Sequence, residues 1–155
     1  MSKTQQTLII VKPDGVSKGI SGEVVGRFEK AGLKAVTMEM LKLNKSFVSD
    51  FYAHLKTKIP EKTLNATLDF MTSGMVVMAI FEGEDAIKKA RVVCGPTNPA
   101  QAPAGTIRGD FSNDDLIENT KRGIATRNVV HASSSVEDAL KEITMAKKIM
   151  KSIKH

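Results

Sequence analysis

The residues with chemistry to offer are few and far apart in the chain. His131 stands in Val129-Val130-His131-Ala132-Ser133-Ser134-Ser135, where an apolar run stops and a serine run begins. A neutral imidazole, with a reference pKa of about 6.5, is a competent phosphoryl acceptor near neutral pH. The helix start expected just beyond it would offer free N–H groups and the positive end of a dipole to phosphate. In isolation a strand-end histidine reads more readily as a hydrogen-bonded spacer, so its company carries the reading. That company is basic: Lys12 at the end of an apolar stretch, Arg91 on a helical stretch and Arg108 in a long irregular one. Phosphates are held by several converging cations, arginine as a planar fork and lysine as a point charge. Spacing alone does not bring these three together.

Other chemistry finds no support. No G-x-x-x-x-G-K-[ST] loop and no G-x-G-x-x-G occurs, and Gly19, Gly22 and Gly26 fit neither spacing. No Cys/His cluster offers a metal cage. Cys94 is the only cysteine, so no internal disulfide is possible, and its Val-Val-Cys-Gly setting reads as a buried small hydrophobe. Arg108-Gly109-Asp110, Asn65-Ala66-Thr67 and Asn44-Lys45-Ser46 spell adhesion and glycosylation tripeptides, which we read as coincidence because no secretory segment is evident. No stretch approaches transmembrane length, and a cytoplasmic location is expected. The formal charge of +6 favours an anionic partner. Much of it falls at Lys141, Lys147, Lys148, Lys151 and Lys154, which read as a solvated helix face.

The length of 155 residues suits one domain, 1–155, with a sizeable core. Thr7 to Lys12 reads as a buried strand closed by Pro13-Asp14-Gly15. Gly22 to Ala31 carries Val24, Val25 and Phe28 at helical spacing. Val36, Met38 and Met40 alternate with Thr37, Glu39 and Leu41 as in a strand, the methionines reading as core filler. Asn44 or Ser46 caps a helix with Phe47, Phe51 and Leu55, and a second helix carries Leu64, Leu68 and Met71. Met75 to Phe81 is another apolar strand, and Asp85 to Val93 a helix stopping at Gly95. Pro96 to Asp110 holds too many breakers for a regular element and reads as a long loop. Ser112 to Gly123 admits one short helix, and Asn128 to Val130 is the last strand. Ser134-x-x-Glu137 then reads as a capping box before a helix with Val136, Leu140 and Ile143 on one face. The order predicts an α/β (α+β) fold, a ferredoxin-like βαββαβ sandwich with an antiparallel four-stranded sheet and an inserted helical hairpin.

Four blocks then stand in a telling order: Lys12-Pro13-Asp14-Gly15-Val16, Thr97-Asn98-Pro99-Ala100, Gly105-Thr106-Ile107-Arg108-Gly109-Asp110-Phe111, and Arg127-Asn128-Val129-Val130-His131-Ala132-Ser133. In order and spacing they resemble nucleoside diphosphate kinases, from about Thr7 to Ile143. The resemblance implies ping-pong transfer of the γ-phosphate of a nucleoside triphosphate, typically ATP, to a nucleoside diphosphate. It makes His131 the histidine that is transiently phosphorylated. Lys12 matches the lysine that touches phosphates and ribose, and Tyr52 the tyrosine beside the histidine. Arg91, Thr97 and Arg108 match phosphate-binding residues, Asn128 the ribose-contacting asparagine, and Ser133 and Glu142 the pair that orients the imidazole. It also implies Mg²⁺ held through the nucleotide phosphates, and a homo-oligomer, hexamer or tetramer. No membrane and no specific nucleic acid is expected as a partner. Aromatic content is only 5%, with no strand of the R-G-F-G-F-V type on which bases stack.

The sequence departs from the family pattern near the expected base site. Lys58-Ile59-Pro60-Glu61 lacks the usual aromatic residue after the proline, leaving Leu64 as the apolar candidate to face the base. The stretch from Phe111 to Asn128 carries about ten residues more than the common pattern. Thr126 replaces a glycine, and Ser134 replaces an aspartate. These departures motivate the alternative reading, a catalytically inactive nucleotide-binding regulator of the same fold; retained His131 and Glu142 argue for the enzyme.

Overall fold

The computed structural model describes residues 3–153. Lys154, counted above with the lysine face, lies outside them. The chain runs β1 (Thr4–Val11), α1 (Pro13–Ser17), α2 (Ser21–Lys30), β2 (Lys34–Lys42), α3 (Lys45–Phe51), a 3-10 turn (Ala53–Thr57), α4 (Glu61–Met71), β3 (Met75–Glu84), α5 (Ala86–Cys94), a 3-10 turn (Pro99–Gln101), α6 (Ile107–Phe111), α7 (Leu116–Arg122), β4 (Val130–Ala132) and α8 (Val136–Ile153). The four strands form one sheet in the order β2-β3-β1-β4. All three neighbouring pairs are antiparallel. This is the expected ferredoxin-like α+β sandwich, with α3 and α4 as the inserted hairpin.

The strands are apolar on both sides because both sheet faces are covered. Leu8, Ile10, Met78 and Ile80 pack under α3, α4 and α8 with Val48, Phe51, Met71 and Ala146. Ile9, Val11, Ala79 and Phe81 pack on the other face with Val24, Phe28, Ala90 and Ile107. Period-two alternation thus fills two cores from one sheet.

Several expectations are corrected. Met38 and Met40 are not core filler: they are 42% and 54% exposed, and Val36 beside them is 50% exposed. A bulge after Ala35 resets the register, so Met38 and Met40 pair with Ala79 and Val77. At the sheet's edge this face runs past the cover of α2 and α5. The Pro96–Asp110 stretch is not all loop, because Thr106 Oγ1 accepts the Gly109 N–H and starts α6. On α8 the buried residues are Ala139, Ile143, Ala146 and Met150, while Val136 and Leu140 face outward. Its first turn is capped by Ser135, whose hydroxyl accepts the Asp138 N–H, rather than by a box from Ser134. The last strand begins later than expected, placing His131 inside it opposite Ile10.

Candidate active site

His131 pairs with Ile10 and so points to the side of the sheet that carries α3 and α8. There its Nε2 lies 2.8 Å from Glu142 Oε1 on α8. The Ser133 hydroxyl donates to that same oxygen at 2.8 Å and accepts the Leu8 N–H at 3.0 Å. An ionised carboxylate only accepts, so Nε2 carries the proton and Nδ1 keeps its lone pair. Phe51, at the end of α3, meets the imidazole edge to face with centroids 5.0 Å apart. Burial holds His131 below its ordinary 6.5, against the upward pull of Glu142.

A cavity of about 310 Å³ opens beside this ring. Its lining includes Lys12, Tyr52, Arg91, Thr97, Arg108 and Asn128, so residues from six separate segments converge around His131. Lys12 follows β1, and its Nζ donates to Asn128 Oδ1 at 2.7 Å. Asn128 Nδ2 in turn donates to the Thr97 carbonyl at 3.0 Å. Burial and the neighbouring Arg108 push Lys12 from 10.5 down to about 8. Arg91 on α5 reaches the Ala132 carbonyl at 3.2 Å. Arg108, only 3% exposed, donates to the carbonyls of Gly95, Val130 and Asn128 at 2.9, 2.6 and 3.2 Å. Burial lowers its pKa, yet a guanidinium stays charged at any working pH. It therefore braces the backbone on either side of Val129 as well as lining the cavity. Tyr52 is buried with no partner for its hydroxyl, and burial followed by the Glu142 charge raises its pKa, so it stays a donor.

The segment leading to the histidine is held against its own preference. Val129 has φ +73, a region β-branched residues avoid. Asp14 on α1 accepts the Val129 N–H at 3.0 Å, and the Lys12 N–H donates to the Val129 carbonyl at 2.8 Å. Gly15 is needed beside this kink, since a Cβ there would lie 2.8 Å from Val11 Cγ1 and 3.2 Å from Val129 Cγ1. Cys94 ends α5 fully buried, and burial pushes its thiol up to about 11 despite nearby Arg108.

Two expected residues do not line this cavity: Ser133 lies buried behind it and reaches it only through Glu142, and Leu64 is the other. Leu64 is buried in the core with Phe47 and Met71, because its side of α4 faces the sheet. Ile59 and Thr63, from the same stretch, line the cavity in its place. Asp14 and Phe51 were not singled out in the sequence. Asp14 sits inside the Lys-Pro-Asp-Gly block, while nothing local marks Phe51.

The family model for nucleoside diphosphate kinase matches residues 5–148. The chain belongs to the nucleoside diphosphate kinase family. It is 44% identical over 141 residues to a nucleoside diphosphate kinase of Archaeoglobus fulgidus, covering 91% of this chain and 85% of that one. It is 40% identical over 139 residues to one of Helianthus annuus, covering 90% and 85%. Among solved structures, a transition state mimic of the Borrelia burgdorferi nucleoside-diphosphate kinase with bound vanadate and ADP superposes with a TM-score of 0.87 at 39% identity, covering 92% of this chain and 86% of that one. An NDP kinase from Pyrobaculum aerophilum gives 0.82 at 32%, covering 92% and 95%. As a member of this family the protein is a phosphotransferase that acts on nucleoside di- and triphosphates.

Proposed function

We propose that His131 is the phosphoryl carrier of this nucleoside diphosphate kinase, and that its Nδ1 is the attacking atom. The supporting observation is the Nε2 to Glu142 hydrogen bond, which leaves Nδ1 as the free nitrogen beside a cavity whose cations include Lys12, Arg91 and Arg108. In the first half-reaction Nδ1 bonds to the γ-phosphorus as the bond to the β-phosphate oxygen breaks, and the diphosphate leaves. In the second, a different diphosphate takes the group back along the same path. Lys12, Arg91 and Arg108 balance the charge, which is most of what phosphoryl transfer asks of a protein. The Tyr52 hydroxyl, Thr97 and Asn128 supply donors along the phosphate and ribose. Glu142, steadied by Ser133, stabilises the ring as it becomes positively charged.

Among the described residues no three carboxylates, histidines or cysteines form a metal cage. Magnesium would enter with the nucleotide phosphates, and Ser134 and Asp138, which line the cavity, are the residues that would meet it. When bound, it neutralises phosphate charge. We read residues 1–155 as one domain working in the cytoplasm, in keeping with a single buried thiol. No helix among the described residues is long and apolar enough to cross a membrane. We also propose a homo-oligomer, hexamer or tetramer, in which the exposed apolar edge at Val36, Met38 and Met40 meets a second copy.

Brief exposure of the protein to γ-labelled ATP and magnesium tests the carrier. An acid-labile label should appear on the wild type, move to added GDP, and be absent from His131→Ala. Nucleotide binding without label would leave the inactive regulator as the reading.

A further inference from the structure

Asn128 and His131 both line the catalytic cavity, although they stand three residues apart in the chain. In an extended chain, residues three apart point to opposite faces. The backbone must therefore turn between them, and it turns at Val129. The Val130 N–H donates to the Asn128 carbonyl at 2.8 Å, closing a three-residue turn around Val129 with its φ of +73. This is the γ-turn of the rare, strained hand, and a buried β-branched residue is a poor occupant for it.

Strain of this kind persists only where the surroundings over-determine it. Arg108 donates to the Asn128 and Val130 carbonyls at 3.2 and 2.6 Å, one on each side of the turn. The Lys12 N–H donates to the Val129 carbonyl at 2.8 Å. The Val129 N–H, buried with its residue, is taken by a side chain: Oδ2 of Asp14, itself only 8% exposed, accepts it at 3.0 Å. The other carboxylate oxygen, Oδ1, is buried and has no partner among the described residues. Burying such an oxygen unpaired is unfavourable, so stability alone is a poor account of this aspartate. Without its acceptor the turn loses the bond at its strained centre, and the chain would relax toward the extended form that separates Asn128 from His131.

We propose that Asp14 is a positioning residue for phosphoryl transfer: its carboxylate clamps the Val129 turn that brings Asn128 and His131 to one cavity. Asp14 does not line that cavity and acts through the backbone. This rests on the reading of His131 as the phosphoryl carrier.

The test measures the single-turnover rate of His131 phosphorylation by saturating ATP, at a temperature where circular dichroism shows every variant folded. Asp14→Ala should lower that rate between about tenfold and a hundredfold, the scale set by a slight misplacement of reacting groups. Asp14→Asn, which keeps an acceptor oxygen, should stay within about threefold of the wild type. The deciding comparison repeats Asp14→Ala in a Val129→Gly background, since glycine adopts a φ of +73 without a side-chain clash. There the loss on removing Asp14 should shrink to less than about threefold, a coupling that a general loss of stability would not produce. If Asp14→Ala does not fold, Asp14→Ser, whose hydroxyl is too short for the same bond, takes its place in both backgrounds. Equal losses in the two backgrounds would overturn the proposal, as would an unimpaired Asp14→Ala. An Asp14→Asn as slow as Asp14→Ala would overturn it too, by assigning the effect to charge. A wild type that takes no phosphate would sink the carrier reading, whereas a labelled wild type with equal losses would sink this one alone.

Discussion

At the residue scale, the site works by opposed protonation demands. His131 must be neutral to attack, and Lys12 must be charged to hold phosphate. Burial pushes both pKa values down, His131 below 6.5 and Lys12 to about 8. The imidazole thus loses its proton as pH rises through a value under 6.5, and the lysine loses its charge as pH rises through about 8. For the free enzyme, kcat/KM should be bell-shaped, with its plateau between those limits. In Lys12→Arg the cation titrates far higher, so the alkaline limb should vanish from the measured range whatever the height of the curve. A persistent limb near pH 8 would assign that titration to another group. The sequence made these two residues legible because each lies in a block with recognisable order. It misplaced Leu64, since one helix position separates a cavity-lining Thr63 from a core leucine, and periodicity does not say which side of a helix meets a ligand. It also showed only part of Arg108: the arginine type announces phosphate, but its three carbonyl partners come from segments that only folding brings close.

At the element scale, the continuous apolar strands and Gly-bounded helices were readable, because burial on both faces leaves an unbroken apolar run. The short helices were not. Prolines and glycines in Pro96–Asp110 masked α6, although Thr106 with Gly109 three residues on is a capping arrangement. On α8 residue size misleads: Ile143 packs inward as its spacing suggests, but it does so with small Ala139 and Ala146 while the larger Val136 and Leu140 face outward. Close packing explains why α6 must carry glycine: a Cβ on Gly109 would collide with the Pro103 carbonyl. Gly109→Ala should therefore shift the helix that presents Arg108 and cost about 1–3 kcal/mol of stability, as overpacked sites do. Urea denaturation measures this, and an unchanged midpoint would show that the Pro103 turn yields freely.

At the scale of the whole molecule, one edge of the sheet is closed by the short β4 and the other is left open at β2. Val36, Met38 and Met40 leave apolar side chains exposed along that open edge, an arrangement monomers blunt with charge or cover. Replacing both Met38 and Met40 with Lys should shift the protein to smaller assemblies in light scattering; an unchanged mass would place subunit contacts elsewhere. The sequence had shown the alternation but not its sense, because which face of a strand lies under helices depends on the neighbours and on the bulge after Ala35. On the opposite side of the sheet from the histidine lies Cys94, sealed among Ile9, Val11 and Ala90. With its thiol held up to about 11, it resists alkylating reagents at neutral pH as long as its shell is shut. The rate at which such a reagent finally modifies this lone thiol is thus a clock for opening, a built-in gauge of how often the folded shell parts.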